Sequence, residues 1–158
     1  MKIIYERIYA VFLKEQGRWT ITRYVENAKK FRVLCNKEIF FRQDEVNKVT
    51  DVSDSWSEGK GPADGTKKAL FSEMGVFDGR KDAAEYFHVS QATVGNWLKN
   101  PRKNVRLVER IYAARNGEGK CWCVCRKNGR NKLTDLETGE VVNATDIVDL
   151  TKDWYVCK

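Results

Sequence analysis

Lys81-Asp82-Ala83-Ala84-Glu85-Tyr86-Phe87-His88-Val89-Ser90-Gln91-Ala92-Thr93-Val94-Gly95-Asn96-Trp97-Leu98 is the stretch on which the fold turns. Two short helices that cross steeply need a small residue where their backbones meet, inward apolar residues on both, and a tight turn between them. Ala84 supplies the small residue, with Ala83 and Phe87 beside it. Val89 follows the turn, and Val94 and Trp97 share one face of the second helix at i, i+3. Ser90 is placed to cap that helix, its hydroxyl accepting from the backbone of Ala92 or Thr93, and Pro101 marks its end. His88 stands where the turn commonly has a left-handed glycine, a conformation histidine tolerates better than bulky residues do. The pattern predicts a helix-turn-helix within residues 79–100.

In that geometry the start of the second helix enters the DNA major groove and presents Gln91, Ala92, Thr93, Gly95 and Asn96. Gln91 and Asn96 carry amides that can pair bidentately with adenine. Ala92 and the Thr93 methyl suit the thymine methyl, and Gly95 permits close approach. Arg80, Ser90, Lys99, Arg102, Lys103 and Arg106 are expected on phosphates, where they set register without reading bases. The chain has 29 lysines and arginines against 22 acids, a formal net charge of +7. The placement of this charge matters more than its sum. No acid occurs between Glu85 and Glu109, where a merely solvated face would mix signs.

Glu6-Arg7-Ile8-Tyr9-Ala10 recurs unchanged as Glu109-Arg110-Ile111-Tyr112-Ala113. At the same offset Trp19 matches Trp122, Ile21 matches Val124 and Arg23 matches Arg126. After a short slip, Trp56 answers to Trp154, so the ends of the chain read as two copies of one module. Each copy is expected to open with a helix, on Ile4, Ile8 and Phe12 or on Val105, Val108, Ile111 and Tyr112. Strands follow at 18–24, 31–35 and 38–41, and at 121–126, 132–136 and 140–142, with short helices at 43–49 and 144–150. The class predicted is α+β, a central helix-turn-helix flanked by two small antiparallel-sheet-plus-helix modules. The divisions are 1–56 for the first repeat, 57–66 for a Gly-rich linker, 67–107 for the helix-turn-helix module and 108–158 for the second repeat. Arg126 and Arg130 would extend the phosphate contacts onto the second repeat.

The run from Leu70 through Gly75-Val76-Phe77 to Ala83-Ala84, Val89-Ser90 and Thr93-Val94 resembles the helix-turn-helix module at the DNA-binding end of phage homing endonucleases. The resemblance covers about 30 residues and implies a phage or mobile-element origin. It does not extend to a nuclease. One histidine is too few for an HNH centre, there is no Gly-Ile-Tyr…Tyr-Ile-Gly pair and no LAGLIDADG helix, and the acids are dispersed rather than set to hold a metal.

The expectation is therefore a non-enzymatic, sequence-specific binder of double-stranded DNA, a transcriptional repressor of phage or phage-satellite genes, as a monomer or a homodimer, with no cofactor, metal, membrane or small-molecule substrate. The competing expectations are a reduced homing endonuclease or DNA-packaging factor, and a protein-interaction module built on the duplicated sheets. No apolar run approaches the ~20 residues of a membrane span, and the first residues lack a secretion signal's pattern. The expected place is the bacterial host cytoplasm, at the nucleoid. Cys35, Cys121, Cys123, Cys125 and Cys157 are odd in number and unevenly spaced, so reduced thiols are expected. The Cys-x-Cys-x-Cys spacing does not suit zinc, and Cys123 and Cys125 are expected to be partly covered residues opposite the core face.

Overall fold

The computed structural model describes residues 7–25, 29–36, 38–59, 68–100, 102–117, 120–127 and 132–156. Ile8-Tyr9-Ala10-Val11-Phe12-Leu13 is apolar without a break, and it forms not a helix but strand β1 (Ile8–Leu13). A short unbroken apolar run fits a strand covered on both sides as well as it fits a helix. Here Ile8 and Ala10 enter one core while Tyr9, Val11 and Leu13 enter another. Around it β2 (Arg18–Val25), β3 (Lys30–Val33), β4 (Phe40–Arg42) and β5 (Val46–Asp51) form an antiparallel sheet in the order β4-β3-β2-β1-β5. The helix expected at 43–49 is only a 3-10 turn at Gln43–Glu45 before β5.

The central part begins after helix α1 (Ser53–Glu58). It holds β6 (Ala69–Ser72), β7 (Gly75–Phe77), helices α2 (Arg80–Phe87) and α3 (Gln91–Lys99), and β8 (Arg106–Val108). Its sheet runs β7-β6-β8, with the two helices inserted between β7 and β8. Leu70 of this sheet packs with Ala83, Ala84 and Val94 of the helices, closed over by Phe77, Phe87, Val89, Trp97 and Leu98.

Strands β9 (Ile111–Arg115), β10 (Cys123–Lys127), β11 (Leu133–Asp135), β12 (Val141–Val142) and β13 (Asp146–Asp149) then form a third sheet, ordered β12-β11-β10-β9-β13, and α4 (Thr151–Val156) follows. This is the strand order of the first sheet, with Tyr112 opposite Cys125 as Tyr9 is opposite Thr22. The helices expected over 105–112 and 144–150 are strands β8, β9 and β13.

The α+β class is therefore overturned. Among the described residues thirteen strands in three antiparallel sheets stand against four short α-helices, so the chain is mostly β. The helix pair is not a free-standing module between two α+β repeats but part of a sheet-bearing unit. The expected linker lies largely outside the described residues, since 60–67 are not among them.

The duplicated ends embrace each other. Trp19 of the first sheet packs against Trp154 of α4 at 4.7 Å between ring centroids, and Trp122, just before β10, against Trp56 of α1 at 4.8 Å. Each copy thus takes the helix tryptophan of the other, the reciprocal pattern of a two-fold interface. One core gathers Ile8, Ala10, Trp19, Ile21 and Val52 with their counterparts Ile111, Ala113, Val124 and Leu150. Thr20 Oγ1 donates to the Trp122 carbonyl (3.1 Å), and the Ser55 N–H donates to Asp153 (2.9 Å), whose carboxyl burial pushes upward.

A second repeated device secures each helix. The Ile8 N–H donates to Ser53 Oγ (2.9 Å) while the Ser53 N–H donates to Asp51 (3.0 Å). Ile111, Thr151 and Asp149 repeat this at 3.1 and 2.9 Å. Arg7 completes the first device at 2.6 Å from Asp51. Burial opposes the Asp51 charge, yet the hydrogen bonds from Arg7 and Ser53 prevail and hold its carboxyl below the usual value. Arg110 completes the second device and goes further. Buried at 3% exposure, against 37% for Arg7, it donates to Asp149 (3.1 Å) and to the Asp78 carboxylate and carbonyl (3.2 and 3.1 Å). Asp78 lies just before α2, so Arg110 ties the helix-bearing unit to the second sheet.

The expected reduced state of all thiols is corrected as well. Cys35 and Cys121 form a disulfide between the two repeats, with Cα atoms 4.9 Å apart. Cys125 is fully buried in a core with Tyr112, Ala114 and Leu133, so the face opposite the shared core is covered too. Its sulfur lies 3.6 Å from that of half-buried Cys123. Their contact holds the Cys123 thiol below its ordinary value and, with burial, raises that of Cys125.

Candidate nucleic-acid interface

Helix α2 ends because His88 turns left-handed, at φ 57° and ψ 45°. That turn lets the Val89 N–H reach back to the Ala84 carbonyl (3.0 Å) and satisfy the helix end. Ser90, in an extended conformation, then caps α3 by accepting from the Thr93 N–H at 3.2 Å. Its hydroxyl also lies 2.9 Å from that of Thr93. Val94 is fully buried and Trp97 and Leu98 partly so, which fixes the opposite side of α3 toward solvent.

That side carries Gln91, Ala92, Asn96 and Lys99, all exposed. Thr93 and Gly95 are half-buried, for two different reasons. The Thr93 hydroxyl is engaged at the cap, leaving its methyl as the contact group. Gly95 lies under the Arg80 side chain, where an added Cβ would meet Arg80 Nη1 at 3.2 Å. Arg80, the first residue of α2, therefore packs against the flank of α3 at Gly95, beside the outward row. The sequence offered no sign of this pairing, because the two residues are 15 positions apart on different helices.

Arg102 and Lys103 are exposed in the connection after α3. The Arg102 N–H donates to Asn100 Oδ1 (3.0 Å), and Lys103 Nζ stands 5.7 Å over the Trp97 ring. Arg106 is on β8, its guanidinium 5.0 Å over Phe71. Arg80, Ser90, Lys99, Arg102, Lys103 and Arg106 thus belong to one structural unit with the α3 row. Arg126 does not. It lies on β10 in the second sheet, opposite Ile111 and Thr134, half-buried, and its Nε is covered without a hydrogen-bond partner among the described residues. Arg130 lies outside the described residues.

The β6–β7 turn was missed as a neighbour of this surface. Glu73 Oε1 accepts from Asn104 Nδ2 at 3.4 Å, and Met74 beside it is 63% exposed, a large apolar side chain left uncovered. Together they border a cleft of about 300 Å³ shared with Trp97, Arg102 and Lys103. The acids of the helix pair, Asp82 and Glu85, are exposed on α2, and α3 has none. Among the described residues no group of three His, Cys, Asp or Glu side chains is placed to hold a metal ion, and no helix is long and apolar enough to cross a membrane. Comparison with protein-family models, curated proteins and solved structures gives no match to this chain.

Proposed function

We propose that the chain binds double-stranded DNA in a sequence-dependent manner and acts as a repressor of phage or phage-satellite genes in the bacterial cytoplasm, its helix pair related to the DNA-binding end of phage homing endonucleases. The observation that carries this reading is the outward row of α3, Gln91, Ala92, Asn96 and Lys99, with Arg80 beside it at Gly95 and no carboxylate on the helix. Two amides and a methyl are base-reading groups in the major groove. Arginine and lysine beside them, with Arg102 and Lys103 just after the helix, are cations suited to DNA phosphates, contacts that fix register. Arg80 over Gly95 keeps a cation at the groove edge while its partner helix keeps a slim profile there.

The test begins with a duplex selected by the protein from a random library. Gln91→Ala/Asn96→Ala is expected to lose about 10- to 100-fold in affinity for that duplex while binding of unrelated DNA changes little. Lys99→Ala and Arg102→Ala are expected to weaken binding to all sequences alike, each reducing the salt slope by about one. Wild-type affinity of the double variant for the selected duplex would reject α3 as the reader. Cleavage of plasmid by the protein with Mg²⁺ would replace repression by the nuclease reading.

A further inference from the structure

The two five-stranded sheets share one strand order but are filled differently. The first encloses Val11, Leu13, Tyr24, Phe31, Phe41 and Val46 around Tyr9. Strand register identifies what stands in those places in the second. Val11, opposite Val49, corresponds to Ala114, opposite Ile147. Tyr24 and Phe31, opposite each other, correspond to Lys127 and Leu133. Phe41, opposite Phe31, corresponds to Val142, opposite Leu133. Three aromatic rings are thereby replaced by lysine, leucine and valine, and a valine by alanine.

The volume lost is not recovered by repacking. A cavity of about 550 Å³ opens among these positions in the second sheet, where the mouth of the first has about 30 Å³ beside Leu13 and Phe41. Its apolar lining is buried Leu133 with half-buried Val142, Ala144 and Ile147, and its polar lining includes half-buried Lys127 and the exposed amides of Asn116 and Asn143. Thr145 is spent on the local backbone, accepting from the Gly117 N–H at 2.7 Å. A concave hollow of this size, its lining divided about evenly between apolar and polar groups, has the constitution of a site for an amphiphilic small molecule.

We propose that this hollow binds a small amphiphilic anion, an aromatic or medium-chain apolar body lodged against Leu133, Val142 and Ile147 with a carboxylate or sulfonate at the mouth by Lys127 and the two asparagines. The site is separate from the α3 surface and stands whether or not the chain binds DNA. Titration of the whole protein with 8-anilino-1-naphthalenesulfonate is expected to give saturable one-to-one binding with blue-shifted emission. L133F/V142F restores the rings found at Phe31 and Phe41 and is expected to weaken that binding at least tenfold while leaving the thermal midpoint equal or higher. Lys127→Met is expected to weaken the sulfonate several-fold but not the neutral N-phenyl-1-naphthylamine. Amide shifts in the wild type, which need no variant to fold, should concentrate at residues 114–117 and 142–147. Absence of saturable binding, wild-type binding by folded L133F/V142F, or shifts centred elsewhere would each overturn the site.

Discussion

The first and second sheets have the same strand order and the same Asp-hydroxyl clasp, yet one is packed with aromatic rings and the other is hollow. The devices that set chain direction are repeated almost residue for residue, whereas the side chains that fill the curl are not. Strand order follows from register and from the polar links at strand ends, while a change of interior volume carries a cost in stability that another core can offset. Here that other core is the shared one between the two copies, which contains Trp19, Trp56, Trp122 and Trp154 in either its buried or its flanking shell.

The sharpest way to break the comparison is to empty the filled sheet. Phe31→Ala removes a fully buried ring in edge contact with Tyr9 at 6.1 Å and is expected to cost about 3–5 kcal/mol in denaturant unfolding. Leu133→Ala, its counterpart, faces existing space and should cost about 2 kcal/mol, the low end for such a change. Equal losses would mean that the second curl is packed as tightly as the first.

Next in size is the arginine pair. Arg110→Ala leaves Asp149 without its buried partner and frees Asp78, for a cost of about 3 kcal/mol. Arg7→Ala, at a half-buried bridge whose arginine still meets water, is expected below about 1 kcal/mol. A comparably small effect concerns pH. The Asp51 carboxyl is held below its ordinary value in the folded chain, so its contribution is complete above about pH 4 and is lost as pH falls through the lower folded value. Asp51→Asn should be about 1 kcal/mol less stable than wild type at pH 7. That gap should narrow on acidification below pH 4; a gap that persists unchanged would place the effect in packing rather than charge.

What was legible in the chain followed from local chemistry. The helix pair announced itself through Ala83, Ala84, the Ser90 cap and the His88 turn, all of them short-range requirements. Strand β2 showed its alternation. β1 did not, because a strand covered on both faces loses the period of two and leaves an apolar run that also fits a helix. Helices α1 and α4 are only six residues each, too short for periodicity, although Asp51-x-Ser53-x-x-Trp56 and Asp149-x-Thr151-x-x-Trp154 carried a repeated signal for them. The Cys35–Cys121 bond was hidden for a different reason. Leu34 and Leu136 donate alike to Ile21 and Val124, so Cys35 corresponds to Glu137, and Cys121 to Arg18; the bond occurs on one side of the pseudo-symmetry only. On the candidate DNA surface, the α3 row was readable from spacing, but Arg80 over Gly95 required the crossing of two helices.

The exchange of tryptophans between the copies carries an evolutionary consequence. In a dimer of identical chains, one gene writes both halves, and any substitution strikes twice. Within a single chain that coupling is absent: Trp19 with Trp154 and Trp122 with Trp56 make the same reciprocal contact, while the residues behind it can differ from one half to the other. One half can remain a rigid anchor while the other, relieved of that duty, specialises.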